Sequence, residues 1–280
     1  MSRTGAGELV LSAAARGRAV AAFNVVTLEQ AEAVVAAAEQ TGYPVVLQVS
    51  QNAIRFRAGF APLLAACREL ADAADRPVAV HLDHIDDPAL AEAALRRSSE
   101  LGLGSLMFDA STRPYAANVA MTAEVVAAGH AHGLWVEGEL GAVGGKDGAH
   151  APGVRTDPDE AGAFVERTGV DALAVAVGSS HAMRDRTARL DLGLIARLRD
   201  AIGVPLVLHG SSGVPDDQLS AAVAAGIRKV NIGTALAIAG TQRLREELAA
   251  QPDAVDPRKY LAGVRAATTE TAAHLLRVVS

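Results

Sequence analysis

The chain has 280 residues, 50% of them apolar and only 3% aromatic, so its core must be built mainly from Ala, Val, Leu and Ile. A formal net charge of −6 argues against a nucleic-acid-binding surface, and no charge-free apolar run is long enough for a membrane span. The only cysteine, Cys67, excludes an internal disulfide and a thiolate-rich zinc site. With an N-terminus that lacks the apolar core of a secretion signal, these features predict a cytoplasmic protein.

Short apolar segments bounded by Gly, Pro and Asp predict strands that alternate with amphipathic helices along the chain. The predicted strands cover residues 19–24, 44–50, 78–82, 105–109, 134–139, 172–177, 205–209 and 227–232. The predicted helices cover residues 28–41, 60–74, 88–101, 116–132, 157–168, 192–201 and 216–225, with a long helix from about Thr234 and a helical tail from Pro257. Residues 141–156 are Gly-rich and too long for an ordinary βα connection, so they form a candidate lid.

This alternation determines the predicted fold. Strands that alternate strictly with helices form a parallel sheet with right-handed crossovers. Eight such units in about 250 residues match a (β/α)8 or TIM barrel. The competing open, doubly wound sheet carries a Gly-rich fingerprint after its first strand, and residues 21–25 contain none. We therefore expect an α/β, single-domain TIM barrel over residues 1–280, with a lid loop after strand five and a C-terminal helical tail.

Three histidines lie at or just after the ends of predicted strands, where barrels of this kind carry their chemistry: His84, His181 and His209. A single histidine of this kind is more often a hydrogen-bonded loop or core residue. Three together match the ligand set of a catalytic zinc site with one open position. His81 shares a strand face with Asp83 and lies deeper, so we expect it to support the site rather than bind metal.

Carboxylates gather at the same strand ends: Asp83, Asp109, Glu137 and Glu139. At a metal site, such groups bind the ion, orient its histidine ligands or transfer protons. Because Asp83 is covalently next to His84, we expect at most one of the two to bind metal, which leaves the other for acid–base work. The alternative is that these carboxylates cap helices.

Two Gly- and Ser-containing turns predict a phosphate site. Residues 209–213 and 231–234 each connect a strand to the next helix, after strands seven and eight. Glycines allow backbone N–H groups to approach an anion at a helix N-terminus, and this pair of loops often binds phosphate in barrels.

Taken together, the motifs resemble those of the class II ketose-bisphosphate aldolases, which include fructose- and tagatose-bisphosphate aldolases. The compact length is more similar to the tagatose-type branch. The matching motifs occur in order from about residue 19 to the tail: Phe23-Asn24, Val80-His81-Leu82-Asp83-His84, Glu137-Gly138-Glu139-Leu140-Gly141, Gly144-Gly145, Gly178-Ser179-Ser180-His181, His209-Gly210-Ser211-Ser212-Gly213 and Lys229-Val230-Asn231-Ile232.

The resemblance implies a catalytic divalent ion, usually zinc, and a reversible aldol cleavage of a phosphorylated ketose. Asp83 would be the acid–base at the C4 hydroxyl, and zinc would stabilise the enediolate. The implied zinc ligands are His84, His181 and His209. Asp109 and Glu139 would provide a second metal position or contact the ligands. A Na⁺ or K⁺ ion near His181 and Gly210 is also implied.

The same resemblance assigns substrate contacts and an assembly. Asn24 and Ser50 would line the distal half of the substrate, and Arg258 would reach its distal phosphate from a neighbouring subunit of a homodimer or homotetramer. The residues implied at the phosphate of the dihydroxyacetone-phosphate half are Gly210, Ser212, Asn231 and Thr234.

Two positions depart from the family pattern. The lid glutamate that takes the C3 proton is replaced by Asp147, which is one methylene shorter. After Asn231-Ile232, many members carry an acidic or amide residue, whereas this chain has Gly233. Because that loop faces the substrate, the identity of the sugar stays open.

Other functions compete with this reading. A Schiff-base aldolase needs a lysine near a strand end, but Lys229 lies too deep and Lys146 lies in the lid. A non-catalytic subunit of an aldolase complex would have lost its ligands, and here they are intact. Another phosphorylated keto sugar or sugar acid, as in inositol catabolism, is a further alternative substrate.

Overall fold

The computed structural model describes residues 4–141, 154–181 and 183–280. Its strands form a closed parallel barrel in which each strand pairs with its sequence neighbours and β1 pairs with β8, which confirms the predicted TIM barrel. The strands are β1 (Val20–Asn24), β2 (Val45–Ser50), β3 (Val78–Ile85), β4 (Ser105–Phe108), β5 (Trp135–Leu140), β6 (Ala172–Val175), β7 (Leu206–Leu208) and β8 (Ile227–Ile232).

Helices surround this barrel, and their apolar faces pack on the outward side chains of the strands. They are α1 (Ala6–Ala14), α2 (Leu28–Thr41), α3 (Gln51–Phe56), α4 (Ala61–Ala73), α5 (Pro88–Arg96), α6 (Ser98–Leu101), α7 (Tyr115–Ala131), α8 (Pro158–Thr168), α9 (Leu192–Ala201), α10 (Asp216–Ala225), α11 (Thr234–Ala250) and α12 (Pro257–Val279). None of the described helices is long and apolar enough to cross a membrane.

Helix α1 was not predicted, and it covers the N-terminal end of the barrel. Its buried residues pack against the lowest layer of the barrel interior, which includes Val20, Ala22 and Trp135. The helix approaches so closely that a Cβ atom at Gly7 would lie 2.6 Å from the Trp135 ring. The strands end at the opposite side of the barrel, which we call the C-terminal rim.

The predicted helix over residues 88–101 is wrong in one respect, because the structure divides it. Arg97 leaves the helical conformation at φ −111° and ψ 9°, and the chain restarts as α6 at Ser98. Serines hydrogen-bond competing backbone groups and are poor residues for a helix interior, and Ser98-Ser99 follow the break directly. Helix α3 was also not predicted; it begins where Ser50 Oγ accepts a hydrogen bond from Ala53 N.

The C-terminal helices pack as an antiparallel pair, α11 against α12. Gly240 faces Val264 and Thr268, whereas Gly263 faces Glu247. Helix α12 also packs along α2 and ends beside the start of β1, where Ala19 N donates to Val279 O. The C-terminal tail therefore completes the layer of helices around the barrel.

Candidate active site

An irregularity at the end of β3 brings two adjacent side chains into one site. In a regular strand, Asp83 and His84 would point to opposite faces. Here the pairing with β4 shifts register between Leu82 and Ile85, and His84 adopts a left-handed φ of 50°. As a result, His84 Nε2 lies 3.9 Å from Asp83 Oδ1. Bulges that redirect a side chain, and strained non-glycine residues, are concentrated at functional sites.

The three histidines singled out from the sequence come together at the C-terminal rim. His84 is the next-to-last residue of β3, His181 lies in the loop after β6, and His209 directly follows β7. Their ring centroids are 4.5 Å apart for His84 and His209, 5.1 Å for His84 and His181, and 5.8 Å for His181 and His209. One nitrogen from each ring lies within 4.8 Å of the others, which is close enough for one metal ion.

Carboxylates contact ring nitrogens of His84 and His209, as expected at a zinc site. His84 Nδ1 lies 2.8 Å from Asp109 Oδ2, and His209 Nε2 lies 3.0 Å from Glu137 Oε1. Glu139 Oε2 lies 3.2 Å from His209 Nδ1 and 3.9 Å from His84 Nδ1. His84, Asp109 and Glu139 form a second group with metal-binding geometry. Three imidazoles, of which His84 and His209 are oriented by carboxylates, are a donor set that fits zinc.

Asp83 is buried beside these histidines and receives hydrogen bonds on both oxygens. Asn24 Nδ2 donates to Oδ2 at 2.7 Å, and Asn231 Nδ2 donates to Oδ1 at 3.2 Å. Burial acts to raise the pKa of Asp83, but positive charge at His84, His209 and Lys229 outweighs it and holds that pKa below its usual range. The carboxylate is therefore ionised at neutral pH and has the charge state needed to accept a proton, while its lowered pKa makes it a weaker base than an ordinary aspartate.

A deeper polar layer lies beneath the histidines. Glu137 and Lys229 are completely buried and form an ion pair of 2.8 Å. Burial acts to raise the pKa of Glu137, but Lys229 and His209 lower it to about 2. Burial likewise acts to lower the pKa of His209, but hydrogen bonds to Glu137 and Glu139 raise it to about 9.

His81 belongs to the same layer, and its Nδ1 lies 2.8 Å from Ser105 Oγ. The sequence analysis did not identify the roles of Lys229 and Glu137 in this layer. The sequence signal for this layer was the spacing of the residues. Lys229 is two residues before Asn231, and Glu137 is two residues before Glu139, so each pair shares one strand face.

The loops that follow β6 and β7 lie against each other. Gly210 has φ 65°, and a Cβ atom there would lie 2.6 Å from the backbone of Ser180. Ser212 Oγ accepts a hydrogen bond from Ala235 N at 3.1 Å, in the first turn of α11, which begins at Thr234. The loop of Gly210 therefore contacts both the segment that carries His181 and the N-terminus of α11.

The remaining candidate residues are distributed differently. Ser50 caps α3 through its side chain. Arg258 is 90% exposed, and it forms an ion pair with Asp256, two residues away, rather than with a residue of the rim. Asp147 lies outside the described residues.

Comparison with known proteins identifies the family of this chain. The family model for class II fructose-bisphosphate aldolase matches residues 5–280. The fructose-bisphosphate aldolase of Geobacillus stearothermophilus is 40% identical over 267 residues, which cover 94% of this chain and 92% of that protein. The D-tagatose-1,6-bisphosphate aldolase subunit GatY of Klebsiella oxytoca is 35% identical over 275 residues, which cover 97% of this chain and 95% of that protein.

A solved structure agrees as well. The crystal structure of the YdjI aldolase from Escherichia coli K12 superposes with a TM-score of 0.85 at 31% identity, covering 100% of this chain and 98% of that one. The family model and these relatives show that this chain belongs to the class II fructose-bisphosphate aldolase family.

Proposed function

We propose that this chain is a zinc-dependent aldolase that reversibly cleaves a ketose 1,6-bisphosphate, fructose or tagatose, to dihydroxyacetone phosphate and glyceraldehyde 3-phosphate. One observation carries the proposal: three histidines with metal-binding geometry converge beside the buried, ionised Asp83. Two relatives are named for these two sugars, and both match nearly the whole chain. The cytoplasmic location expected from the composition is part of the same proposal.

The metal would be held by His84, His181 and His209. When bound there, zinc acts as a Lewis acid that polarises oxygens of the ketose and stabilises the negative charge that develops when the carbon–carbon bond breaks. Asp109 would keep His84 in one orientation by accepting from its Nδ1, and Glu137 would do the same for His209.

Asp83 would perform the proton transfer of the aldol step. In cleavage it takes the proton of the C4 hydroxyl, the C3–C4 bond breaks, the C4 oxygen becomes the aldehyde carbonyl, and C3 keeps the electron pair. In condensation Asp83 returns the proton to the same oxygen. Hydrogen bonds from Asn24 and Asn231 hold the carboxylate in place for both directions. We propose that Asp147, in the predicted lid, gives a proton to C3 after cleavage, which completes dihydroxyacetone phosphate, and removes that proton before condensation.

The phosphate of the dihydroxyacetone-phosphate half would bind at the N-terminus of α11. Backbone N–H groups in the first turn of a long helix attract an anion, and the hydroxyl groups of Ser212 and Thr234 are next to that turn. Gly210 would complete this phosphate site, and a Na⁺ or K⁺ ion would bind the adjoining loops of His181 and Gly210.

The distal half of the substrate would lie between Asn24, Ser50 and an Arg258 from a second copy. Arg258 is exposed and makes no contact with the rim of its own chain among the described residues. A partner that supplies Arg258 requires a homodimer or homotetramer.

The proposal is tested by a coupled assay for dihydroxyacetone phosphate, with fructose and tagatose 1,6-bisphosphates as alternative substrates for the zinc-loaded enzyme. Cleavage of either sugar supports the proposal, and the two kcat/KM values rank them. The matched control is the Asp83→Ala variant loaded with the same amount of zinc, which should be inactive on both. Absence of cleavage by wild-type protein with stoichiometric zinc would refute the bisphosphate assignment. The next substrates would then be other phosphorylated keto sugars and sugar acids.

A further inference from the structure

A completely buried lysine lies beneath the three histidines and takes no part in the reaction described above. Lys229 and Glu137 are both fully inaccessible to solvent. Lys229 comes two residues before Asn231 on β8, so both side chains point into the barrel, with Lys229 one level deeper. Strands β5 and β8 are not neighbours in the sheet, so the contact between Glu137 and Lys229 crosses the barrel interior.

The Lys229 ammonium contacts two groups, and both lead to the rim. Its Nζ donates to Glu137 Oε2 at 2.8 Å and to Asn231 Oδ1 at 2.9 Å. The second oxygen of Glu137 lies 3.0 Å from His209 Nε2. The second polar atom of Asn231, Nδ2, lies 3.2 Å from Asp83 Oδ1. A single cation therefore connects a metal-site histidine with the carboxylate that transfers the proton.

The donor and acceptor chemistry fixes the orientation of both contacts. An ammonium group only donates, so the amide atom of Asn231 that faces it must be the oxygen, and the nitrogen must face Asp83. That nitrogen also lies 3.0 Å from His209 Nε2. The other ring nitrogen of His209, Nδ1, lies 3.2 Å from Glu139 Oε2, so Glu137 and Glu139 contact the ring through different nitrogens.

We propose that Lys229 is a positioning residue for the aldolase site, which holds Glu137 against His209 and Asn231 against Asp83. The part concerning Asp83 rests on the proposed function, and the part concerning His209 does not. A purely stabilising role explains the lysine less well. A buried ion pair loses much hydration, and well-packed apolar residues of similar size often stabilise a protein as much or more.

The test removes the ammonium while keeping the length of the side chain. The variants are Lys229→Met and the double variant Lys229→Met/Glu137→Gln, made in the full chain. The matched control is Arg228→Met, which removes a cation from the outward face of the same strand, where Arg228 donates to the carbonyls of Val223 and Ile227. For each protein, the zinc dissociation constant is measured by competition with a chelator, and kcat and KM are measured at saturating zinc.

We expect zinc to bind about ten- to a hundredfold more weakly in both Lys229 variants, the usual effect of losing a group behind a metal ligand. At saturating zinc, kcat of both Lys229 variants should remain below the wild-type value, while KM changes less. The reason is that Asn231 is no longer held in place by Lys229 and no longer fixes Asp83. Arg228→Met should keep the wild-type zinc affinity and kcat. The inference is overturned if either Lys229 variant folds with wild-type zinc affinity and kcat and only a lower melting temperature.

The double variant keeps the test decisive if Lys229→Met does not fold. Removing one partner leaves an uncompensated buried charge, whereas removing both does not. The zinc titration also separates the two proposals, because it needs no substrate. If wild-type protein cleaved no ketose bisphosphate, the proposed function would fail, but weaker zinc binding in the Lys229 variants would still support the effect on His209.

Discussion

Replacing Gly210 with Ala should damage the site even though it removes no side chain. Gly210 has φ 65°, and an alanine in this left-handed region costs about 1–2 kcal/mol. Its Cβ would also lie 2.6 Å from the carbonyl carbon and oxygen of Ser180, so one loop must move by about 0.4 Å to restore even a 3.0 Å contact. Overpacking of this kind costs a further ~1–3 kcal/mol. The expected loss in the free energy of unfolding is therefore about 2–5 kcal/mol.

The displaced segment carries His181, the residue after Ser180, so zinc affinity should fall as well, by about tenfold or more. The assay is denaturant unfolding of the zinc-free protein together with a chelator-competition titration with zinc. Gly42→Ala is the matched control, because Gly42 has φ 78° but a Cβ atom there meets nothing within 4 Å. It should lose only the backbone part, about 1–2 kcal/mol, and keep its zinc affinity. Equal losses of stability in the two variants would refute the argument from the Ser180 contact.

Three further variants test individual groups of the site. Asp83→Ala should lower kcat by about 10²–10⁴-fold with unchanged zinc stoichiometry, and loss of zinc instead would mean that Asp83 belongs to the metal site. Asp109→Asn should weaken zinc binding by about ten- to a hundredfold in a chelator titration, since His84 Nδ1 would lose its carboxylate; an unchanged affinity would remove Asp109 from this role. Burial and the charge of Lys229 lower the pKa of His81 to about 3, so only the unfolded chain takes up this proton near pH 6. The free energy of unfolding should therefore rise with pH up to about 6.5, by at most ~1.4 kcal/mol per pH unit, and His81→Gln should flatten that slope; parallel wild-type and variant slopes would contradict the assignment.

The sequence predicted the barrel well because its signal is local and repeated. Each buried strand is a short apolar run, and each is followed by a helix with a 3.6-residue period. Helix α1 has the same signal, since Ala6, Leu9, Val10 and Ala13 have helical spacing, although the segment is only nine residues long. The break at Arg97 was not predictable from periodicity, since the apolar pattern continues to Leu101 through both short helices.

The site was predictable only in part, because its contacts depend on how distant segments meet. Histidines at strand ends could be identified by position. The left-handed backbone of His84 could not, since it results from the register shift between β3 and β4. The contact of Glu137 with Lys229 joins strands that are not adjacent in sequence or in the sheet, so no pattern along the chain encodes it.

The metal dependence of the cleavage tests the central claim most directly. Protein stripped with EDTA is titrated with zinc while aldol cleavage of fructose and tagatose 1,6-bisphosphates is followed. We predict no activity without metal and a linear rise that reaches its maximum at one zinc per chain. Full activity in EDTA, or inactivation by borohydride in the presence of substrate, would contradict the account, because either result would indicate a lysine Schiff base instead of the histidine site.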